Sequence, residues 1–242
     1  MIKNTNIILV MILLFAATHV KSAEVINIGL PYTAKVAENK TDDIPKFIIR
    51  VGELSEQIFH PVILPFQRVL SQFNQGHLDM AIMAYLPIHD SPTLPYQYTK
   101  ATFWDIHMVL YTHKDSPVNL SNLSNYNIMT ERVFVDLFDF PINATINIES
   151  AIKMVDSKRI DGVIFVEPVV DAIIRNSALK NIKRVYHSPL HIKALIHRNE
   201  NVIELDNAIS LAIDKMKKSG ELKEFTAPWT TYDNWQPYQI AW

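Results

Sequence analysis

The sequence contains the same helix-and-strand unit twice. In the first copy, FQRVLSQFNQGHLDMAIM (66–83), apolar residues recur at i, i+3, i+4 and i+7, which is the spacing of one helix face. The second copy, IESAIKMVDSKRIDGVIF (148–165), has the same spacing, and in both copies a branched apolar residue and an Asp precede a short apolar run. The two copies are 82 residues apart. This repetition predicts a chain built from two similar lobes.

Around each copy, predicted strands alternate with predicted helices. Pro45 marks the first turn of an amphipathic helix in the first half, and a helix from about Glu131 to Phe138 is predicted in the second. The strand candidates are 25–30, 62–64, 78–85, 106–112, 127–129, 145–148, 160–166, 183–186 and 192–196. Parallel strands joined by helices must be covered on both faces. The predicted fold class is therefore α/β, with two lobes whose strand ends line a cleft between them.

The first 22 residues have the pattern of a secretory signal peptide. Eleven consecutive apolar residues (7–17) follow Lys3, and a polar stretch then leads to a cleavage site after Ser22 or, less favourably, after Ala23. A membrane-spanning helix needs about 20 apolar residues, so this run is too short. The sequence contains no Cys, which excludes both a lipid-attachment cysteine and disulfides. We therefore expect an exported, soluble mature protein.

Charge excludes one class of partner. The whole chain has a formal net charge of −2, and removal of Lys3 and Lys21 with the signal peptide would make the mature chain more acidic. Such a chain has no basic surface for nucleic acid or for an anionic membrane. The 48% hydrophobic content indicates a compact globule large enough for two lobes.

The ordered series of motifs resembles one protein family. The order in this chain is INIGLPY, the first repeat, YTKATFWDIHMVLYTHK, the second repeat followed by VEP, ALIHRN and KKSGELKEF. This order resembles that of bacterial periplasmic solute-binding proteins of the amino-acid-binding family, family 3. The resemblance covers nearly the whole mature chain. It implies the type II periplasmic binding fold, with hinge strands near 103–107 and 188–192. The implied division is residues 1–22 as signal peptide, 23–104 with 190–242 as lobe 1, and 105–189 as lobe 2.

The resemblance also implies partners and a location. A small-molecule ligand would be captured between the lobes by hinge closure in the periplasm and then delivered to the membrane permease of an ABC importer. We predict no cofactor, no metal and no catalytic residue, and we expect a monomer. Two alternatives stay open: an adaptor that reports the ligand to a membrane sensor protein, and a periplasmic dehydratase-like enzyme on the same fold. Glu167 would be the candidate carboxylate of that enzyme.

The residues that hold amino acids in this family are not matched here. Members that bind α-amino acids place an Arg about a dozen residues after the Asp of the GxxD turn, but after Asp79 this chain has no Arg or Lys before Lys100. Members also place an Asp after the second-lobe strand, where this chain has Val166, with Glu167 one residue later. An unpaired buried charge costs roughly 2–5 kcal/mol. We therefore expect a small ligand other than a standard α-amino acid, or an amine reached by Glu167.

Aromatic residues at predicted strand ends are candidates for the cleft. Tyr32 and Thr33 follow the first strand, Tyr85 ends the third, and Phe103 and Trp104 come where the chain crosses between lobes. Aromatic rings offer apolar area and can stack on a cation. The alternative for Phe103 and Trp104 is a place in the core at the hinge.

Charged and polar residues at helix starts complete the predicted site. Arg68 begins the first repeat helix and could reach an anionic ligand, although it could instead pair with Asp79. Thr130 and Arg132 open a second-lobe helix, whose N-terminus suits an anion. Glu167 precedes Pro168 and could be only an acid stabilised by the helix dipole.

Other chemistries find little support in the sequence. Asp79 and Asp161 lie at the amino ends of their strands, opposite the ligand-binding edge, so we interpret them as turn carboxylates. Pro189 separates His187 from His191 and breaks any helix that would align them for a metal. The aromatic C-terminal tail could dock a partner, but we expect it to pack on its own lobe.

Overall fold

A computed structural model describes residues 25–32, 37–230, 232 and 234–239 of the 242-residue chain. The predicted signal peptide lies outside these residues. Within the described part, no helix is both long enough and apolar enough to span a membrane.

Strands and helices alternate along most of the chain. The first elements are β1 (Val25–Pro31), α1 (Asp43–Leu54), β2 (Ile58–Leu64), α2 (Phe66–Asn74), β3 (Met80–Ala84), β4 (Tyr96–Tyr98) and β5 (Trp104–His113). They are followed by β6 (Ile128–Glu131), β7 (Asn143–Thr145), α3 (Ile148–Asp156), β8 (Gly162–Val166), α4 (Glu167–Ser177), β9 (Ile182–His197), α5 (Val202–Ser219) and α6 (Glu221–Thr230). Short 3-10 helices occupy Pro87–His89, Leu123–Asn125, Arg132–Leu137 and Pro237–Gln239.

Two parallel groups of strands are joined by two long strands. The order in the sheet is β2-β1-β3-β9-β5-β8-β6-β7, and β4 pairs with β9. β1 is parallel to β2 and β3, and β6 is parallel to β7 and β8, whereas β5 and β9 run antiparallel to each other between the groups. The sheet is thus continuous only through β5 and β9. The predicted α/β class with two lobes joined by two strands is confirmed.

The repeated Asp forms the same turn in both lobes. The Asp79 carboxylate accepts a hydrogen bond of 2.7 Å from the Asn27 N–H, and the Asp79 N–H donates to the Asn27 carbonyl at 2.9 Å. Asp161 makes the same pair of bonds to Asn127, at 2.8 and 3.1 Å. Each Asp therefore fixes the start of its strand to the start of the neighbouring strand. This agrees with the interpretation of both residues as turn carboxylates.

The passage between the lobes is short. The last pair of β3 with β9 is Ala84 with Ile192, and the first pair of β5 with β8 is Met108 with Val166. Within the sheet, residues 105–107 and 189–191 bridge this interval, and we call them the crossing ribbon. Next to it, Met108 pairs with Ser188 but Val109 pairs with Tyr186, so His187 is the extra residue of a β-bulge. Bulges bend and twist a strand, and this one lies where the ribbon enters the second lobe.

Each lobe has its own apolar core. In the first lobe, α1, α5 and α6 cover one face of the sheet and α2 covers the other, with Phe47 and Phe73 completely buried. The core of the second lobe is built from β5, β6 and β8 with α3 and α4. The C-terminal helices α5 and α6 therefore pack on the core of the first lobe.

Two predicted elements differ from the structure. Residues 132–137 form a 3-10 helix instead of the expected α-helix, in a short segment with two β-branched valines that ends shortly before Pro141. The candidates 183–186 and 192–196 are parts of one strand, β9, which continues through Pro189. Pro189 is tolerated because β9 pairs there with β5 on one side only.

The C-terminal tail contacts the second lobe. Tyr232 and Trp235 pack against the second core, and the Gln236 side chain hydrogen-bonds to the backbone of Arg184 in β9. This differs from the expectations that residues 190–242 belong to lobe 1 and that the tail packs on its own lobe. The tail instead covers the buried Arg184 and the adjacent part of β9.

Candidate functional site

The carboxyl ends of the parallel strands from both lobes meet at the crossing ribbon. β3 ends at Ala84 and β8 at Val166, one at each end of the ribbon. The loop after β3 carries Leu86, which is 4% exposed and belongs to the second core. The 3-10 helix 87–89 also packs against the 3-10 helix 132–137 of the other lobe. We call the region between the facing strand ends the cleft, and its two walls touch at this point.

The crossing ribbon has two different faces. Because neighbouring strand residues point to opposite sides, Ile106 and its partner Leu190 lie on one face and His107 lies on the other. Leu190 shares the second core with Leu86, so we call its face the front, on the cleft side. His107 contacts the ring of Tyr186 at 5.4 Å between centroids, and we call that face the back.

Tyr85 lies at the end of β3 as predicted and is held by polar contacts. Its hydroxyl donates to the Asp90 carboxylate at 2.7 Å, and this hydrogen bond raises the Tyr85 pKa. The Lys193 ammonium lies 5.4 Å from the centre of its ring. The neighbouring Tyr98 donates to the Ala84 carbonyl and accepts from the Leu86 N–H, and burial raises the Tyr98 pKa to about 12. These bonds fix the loop that carries Leu86.

Tyr32 follows β1 and is the most accessible aromatic residue among the predicted site residues. It is 55% exposed, and its N–H donates to the Leu64 carbonyl at 2.8 Å. Its hydroxyl donates to Glu38 at 3.3 Å, and the charge of Glu38 raises the Tyr32 pKa. Thr33, which was predicted with it, lies outside the described residues.

An aromatic cluster lies at the strand ends of the second lobe. The Phe138 ring is 5.4 Å from that of Phe140 and 5.6 Å from that of His187, the bulge residue. Burial lowers the pKa of His187, so its ring is neutral at pH 7. Behind them, Phe134 packs against Phe165. This wall is apolar, and no sequence signal identified it because the bulge that brings His187 here depends on strand pairing.

Two arginines at strand ends have free guanidinium groups. Arg68 is in the first turn of α2, directly after β2, and Arg132 begins the 3-10 helix directly after β6. Both side chains are exposed, and neither makes a hydrogen bond or ion pair with another described residue. The alternative pairing of Arg68 with Asp79 does not occur, since Asp79 binds Asn27. One uncommitted cation therefore lies at the strand ends of each lobe.

Three predicted site residues are buried. Phe103 is completely buried and Trp104 is 8% exposed, and both pack against Phe47 in the first core, at 6.2 and 5.7 Å between ring centroids. This is the core placement that the sequence left open. Thr130 is also completely buried, and its hydroxyl has no hydrogen-bond partner among the described residues.

Glu167 belongs to a charged cluster on the back face. One carboxylate oxygen accepts from His107 Nδ1 at 2.7 Å, and the other binds the Arg184 guanidinium. Arg184 also pairs with Asp171 at 3.1 Å, and the Tyr111 hydroxyl donates to Asp171 at 2.8 Å. Both oxygens of Glu167 are engaged and its side chain is 12% exposed, so it does not offer a free carboxylate to the cleft.

Burial dominates the electrostatics of this cluster. The Arg184 side chain has no solvent exposure. Burial raises the pKa of Asp171 to about 6, although the Arg184 charge and the Tyr111 hydrogen bond act in the opposite direction. The sequence does not predict the burial of Arg184, because a single basic residue in an apolar strand is more often exposed than buried.

A cavity of about 330 Å³ lies behind the ribbon. It separates the back face from the ends of α5 and α6, and its lining includes Asp105, His107, Lys217 and Thr226. Of the predicted site residues, Phe103 and Trp104 contribute to it. The strand ends and the free arginines lie elsewhere, so we take the cleft as the candidate site. Among the described residues, no cluster of three or more His, Cys, Asp or Glu could hold a metal ion.

Comparisons with known proteins identify the fold. No protein-family model matches the sequence, and no curated protein matches it. The ligand-binding core of GluR0 in complex with L-glutamate is 16% identical, with a TM-score of 0.65 over 87% of this chain and 100% of that chain. The arginine-, lysine-, histidine-binding protein ArtJ of Geobacillus stearothermophilus is 15% identical, with a TM-score of 0.59 over 85% and 95%.

A periplasmic domain of another kind of protein has a comparable similarity. The periplasmic VFT2 domain of BvgS from Bordetella pertussis is 12% identical, with a TM-score of 0.63 over 85% of this chain and 93% of that chain. At these identities the likeness establishes the fold. The chain has the type II periplasmic-binding-protein fold, and the predicted resemblance to solute-binding proteins is confirmed at that level.

Proposed function

We propose that the chain is an exported periplasmic solute-binding protein that captures a small molecule between its two lobes. The observation that carries this proposal is the meeting of two sets of strand ends at a ribbon of residues 105–107 and 189–191. Clefts at strand carboxyl ends are the usual ligand sites of α/β sheets. A ribbon this short would let the lobes rotate as rigid bodies. The predicted boundaries at 104/105, beside the ribbon, and at 189/190, within it, are part of the proposal.

The ligand in this proposal is not a standard α-amino acid. An ammonium group needs a carboxylate in the cleft, and Glu167, the acid expected from the sequence, is bound on the back face by His107 and Arg184. The position where the family has its Asp is Val166, which is 8% exposed. Leaving a ligand ammonium unpaired would cost affinity. For the same reason, an amine held by Glu167 does not fit the site.

The ligand instead carries an anionic group and an apolar body. Arg68 and Arg132 offer one free guanidinium from each lobe, and guanidinium groups bind carboxylates in a bidentate manner. Phe138, Phe140 and the neutral His187 offer an aromatic wall. A carboxylate with an aromatic or aliphatic body and no ammonium fits both features. We expect micromolar binding, about −8 kcal/mol.

A matched pair of compounds tests the ligand class. 3-Phenylpropionate and phenylalanine share the ring and the carboxylate and differ in the ammonium group. Isothermal titration should detect binding of phenylpropionate and at least tenfold weaker binding of phenylalanine. Tighter binding of phenylalanine would contradict this ligand class. Native mass spectrometry of protein purified without refolding would give the mass of any natural ligand directly.

The destination of the bound ligand has two candidates. Delivery to the permease of an ABC importer is the first, and the solved structure of an amino acid ABC transporter's substrate-binding protein shares this fold. The similarity to a histidine kinase sensor domain favours reporting to a membrane sensor as the second. The enzyme alternative depended on Glu167 as an acid or base in the cleft. Turnover assays of the parent and of Glu167→Gln test that alternative, and loss of a measured activity in the variant would revive it.

A further inference from the structure

The C-terminal segment makes a third connection between the lobes. α6 packs on the first core through Leu222 and Phe225, whereas Tyr232 and Trp235, which follow it, pack on the second core. The described residues of this segment are 232 and 234–239, and we call them the strap. β5 and β9 are the other two connections.

The strap is attached to β9 by hydrogen bonds between side chains of one segment and the backbone of the other. The Gln236 side-chain amide accepts from the Arg184 N–H and donates to the Arg184 carbonyl, both at 3.0 Å. Arg184 Nη1 in turn donates to the Trp235 carbonyl at 3.0 Å. A side chain that bonds both backbone groups of one residue acts like a neighbouring strand, so the strap covers this edge of β9.

Aromatic rings of the strap enclose the buried guanidinium. The Arg184 carbon Cζ lies 4.7 Å from the centre of the Tyr232 ring and 4.6 Å from that of Trp235. Arg175 of α4 lies 4.5 Å from the same Trp235 ring. The attraction between a cation and the face of an aromatic ring is strongest when both are removed from water. Removal of the strap would expose the buried charge cluster of Arg184, Glu167 and Asp171.

The strap has little slack between its two attachments. Tyr232 follows Thr230, the last residue of α6, by two peptide units, which span about 7 Å at most. Its ring contacts both His107 and Tyr186 on the back face of the ribbon, each at 5.7 Å between centroids. The strap therefore crosses directly behind the ribbon, on the side away from the cleft.

We propose that the strap limits rotation of the lobes about the crossing ribbon. Any rotation must move α6 relative to Arg184, and a short attached segment resists that movement. The cavity of about 330 Å³ beside the strap, between α5, α6 and the back face, provides the space in which the remaining rotation takes place. Without the strap, the back of the ribbon would lose this restraint, and the range of angles between the lobes would widen.

Spin labels can measure this range because the chain contains no Cys. Asn74 in the first lobe and Asn176 in the second are exposed and their side chains make no hydrogen bond to another described residue, so Asn74→Cys with Asn176→Cys gives a labelled pair. Double electron–electron resonance on the ligand-free protein should give a narrow distance distribution. In the same background, Trp235→Ala with Gln236→Ala should broaden it and shift its mean by several ångströms.

Two further variants separate the strap from general destabilisation. Gln236→Ala removes only the two backbone bonds and should give a smaller broadening, while Tyr238→Ala, an exposed residue of the same segment, should change nothing. Circular dichroism and cooperative thermal unfolding verify that each variant is folded. An unchanged distribution in the folded double variant, or an equal effect of Tyr238→Ala, would overturn the proposal. The measurement uses no ligand, so it does not depend on the ligand class proposed above.

Discussion

Arg184 is the residue whose surroundings depend most on the rest of the fold. It is completely buried, two carboxylates neutralise it, and two rings of the strap enclose it. A buried pair of this kind adds little net stability by itself, because desolvation opposes the attraction. Loss of one partner is costly, because the remaining charges stay buried without compensation.

Arg184→Met should therefore destabilise the protein by about 3–5 kcal/mol, since Glu167 and Asp171 would be left together without a cation. Urea unfolding measures the change. Arg159→Met is the matched control, since Arg159 is exposed and its side chain makes no ion pair with a described residue, and we expect a change below about 0.5 kcal/mol. Adding Glu167→Gln and Asp171→Asn to Arg184→Met should restore much of the loss. No recovery would contradict an electrostatic origin.

Asp171 gives the stability a defined dependence on pH. Its pKa rises from the ordinary 3.8 to about 6 on folding, so the folded state holds the proton more tightly between these values. The free energy of unfolding should then fall as pH rises through this window, by about 3 kcal/mol from this group. Asp171→Asn should remove that slope.

Comparing the parent with Asp171→Asn isolates the contribution of Asp171 to the pH dependence of stability. Burial lowers the pKa of His89, His113 and His187, so these residues make stability rise with pH, but they are present in both proteins. Chemical unfolding at several pH values between 4 and 7 gives the difference. Parallel curves for parent and variant would mean that Asp171 does not titrate in this range.

At the scale of elements, the duplicated Asp turn is the clearest structural feature. Asp79 and Asp161 each join the starts of two parallel strands through the same two hydrogen bonds. The turns lie at the strand ends away from the cleft, one in each lobe. They should contribute to stability and not to ligand binding.

Asp79→Ala and Asp161→Ala should each lower the free energy of unfolding by about 1–2 kcal/mol, because an N–H of Asn27 or Asn127 loses a charged acceptor. The effects should add within about 0.5 kcal/mol in the double variant, since the turns belong to different lobes. Asp→Asn at the same positions, which keeps an acceptor, is the control and should cost less. A large change in ligand affinity at unchanged stability would assign the turns to the site instead.

Most elements could be predicted from local patterns, and the exceptions depend on partners distant in sequence. The repeat helices and the buried strands follow from apolar spacing alone. β9 could not be predicted as one strand, because Pro189 is permitted only by the single pairing partner at that position. The three-residue strand β4 fell in a Pro-rich passage that gives no periodic signal and forms by pairing with β9.

The same limit applies to the site. The position of Tyr32, Tyr85, Arg68 and Arg132 at strand ends follows from the order of elements. The burial of Phe103 and Trp104 depends on packing against Phe47 of α1, which no local pattern reveals. The sequence also cannot show that the side chain of Glu167, at the start of α4, binds Arg184 on the back face of the ribbon.

For the whole molecule, we expect a clamp in which one arginine from each lobe binds the anionic group of the ligand. Arg68→Ala and Arg132→Ala should each weaken binding of a carboxylate ligand at least tenfold, because each removes one of two charge-assisted contacts. Isothermal titration measures the affinity, with Arg159→Ala as a control for net charge that should leave it unchanged. Loss of binding from only one of the two variants would place the anion on one lobe.

The central claim is that the cleft between two lobes closes on a small molecule. Small-angle X-ray scattering tests it most directly, since closure brings the lobes together without changing their structure. The radius of gyration should decrease with at least one compound in a broad panel that includes apolar carboxylates, and phenylalanine should need at least a tenfold higher concentration than 3-phenylpropionate for the same decrease. A radius of gyration that no compound in the panel changes would contradict the claim.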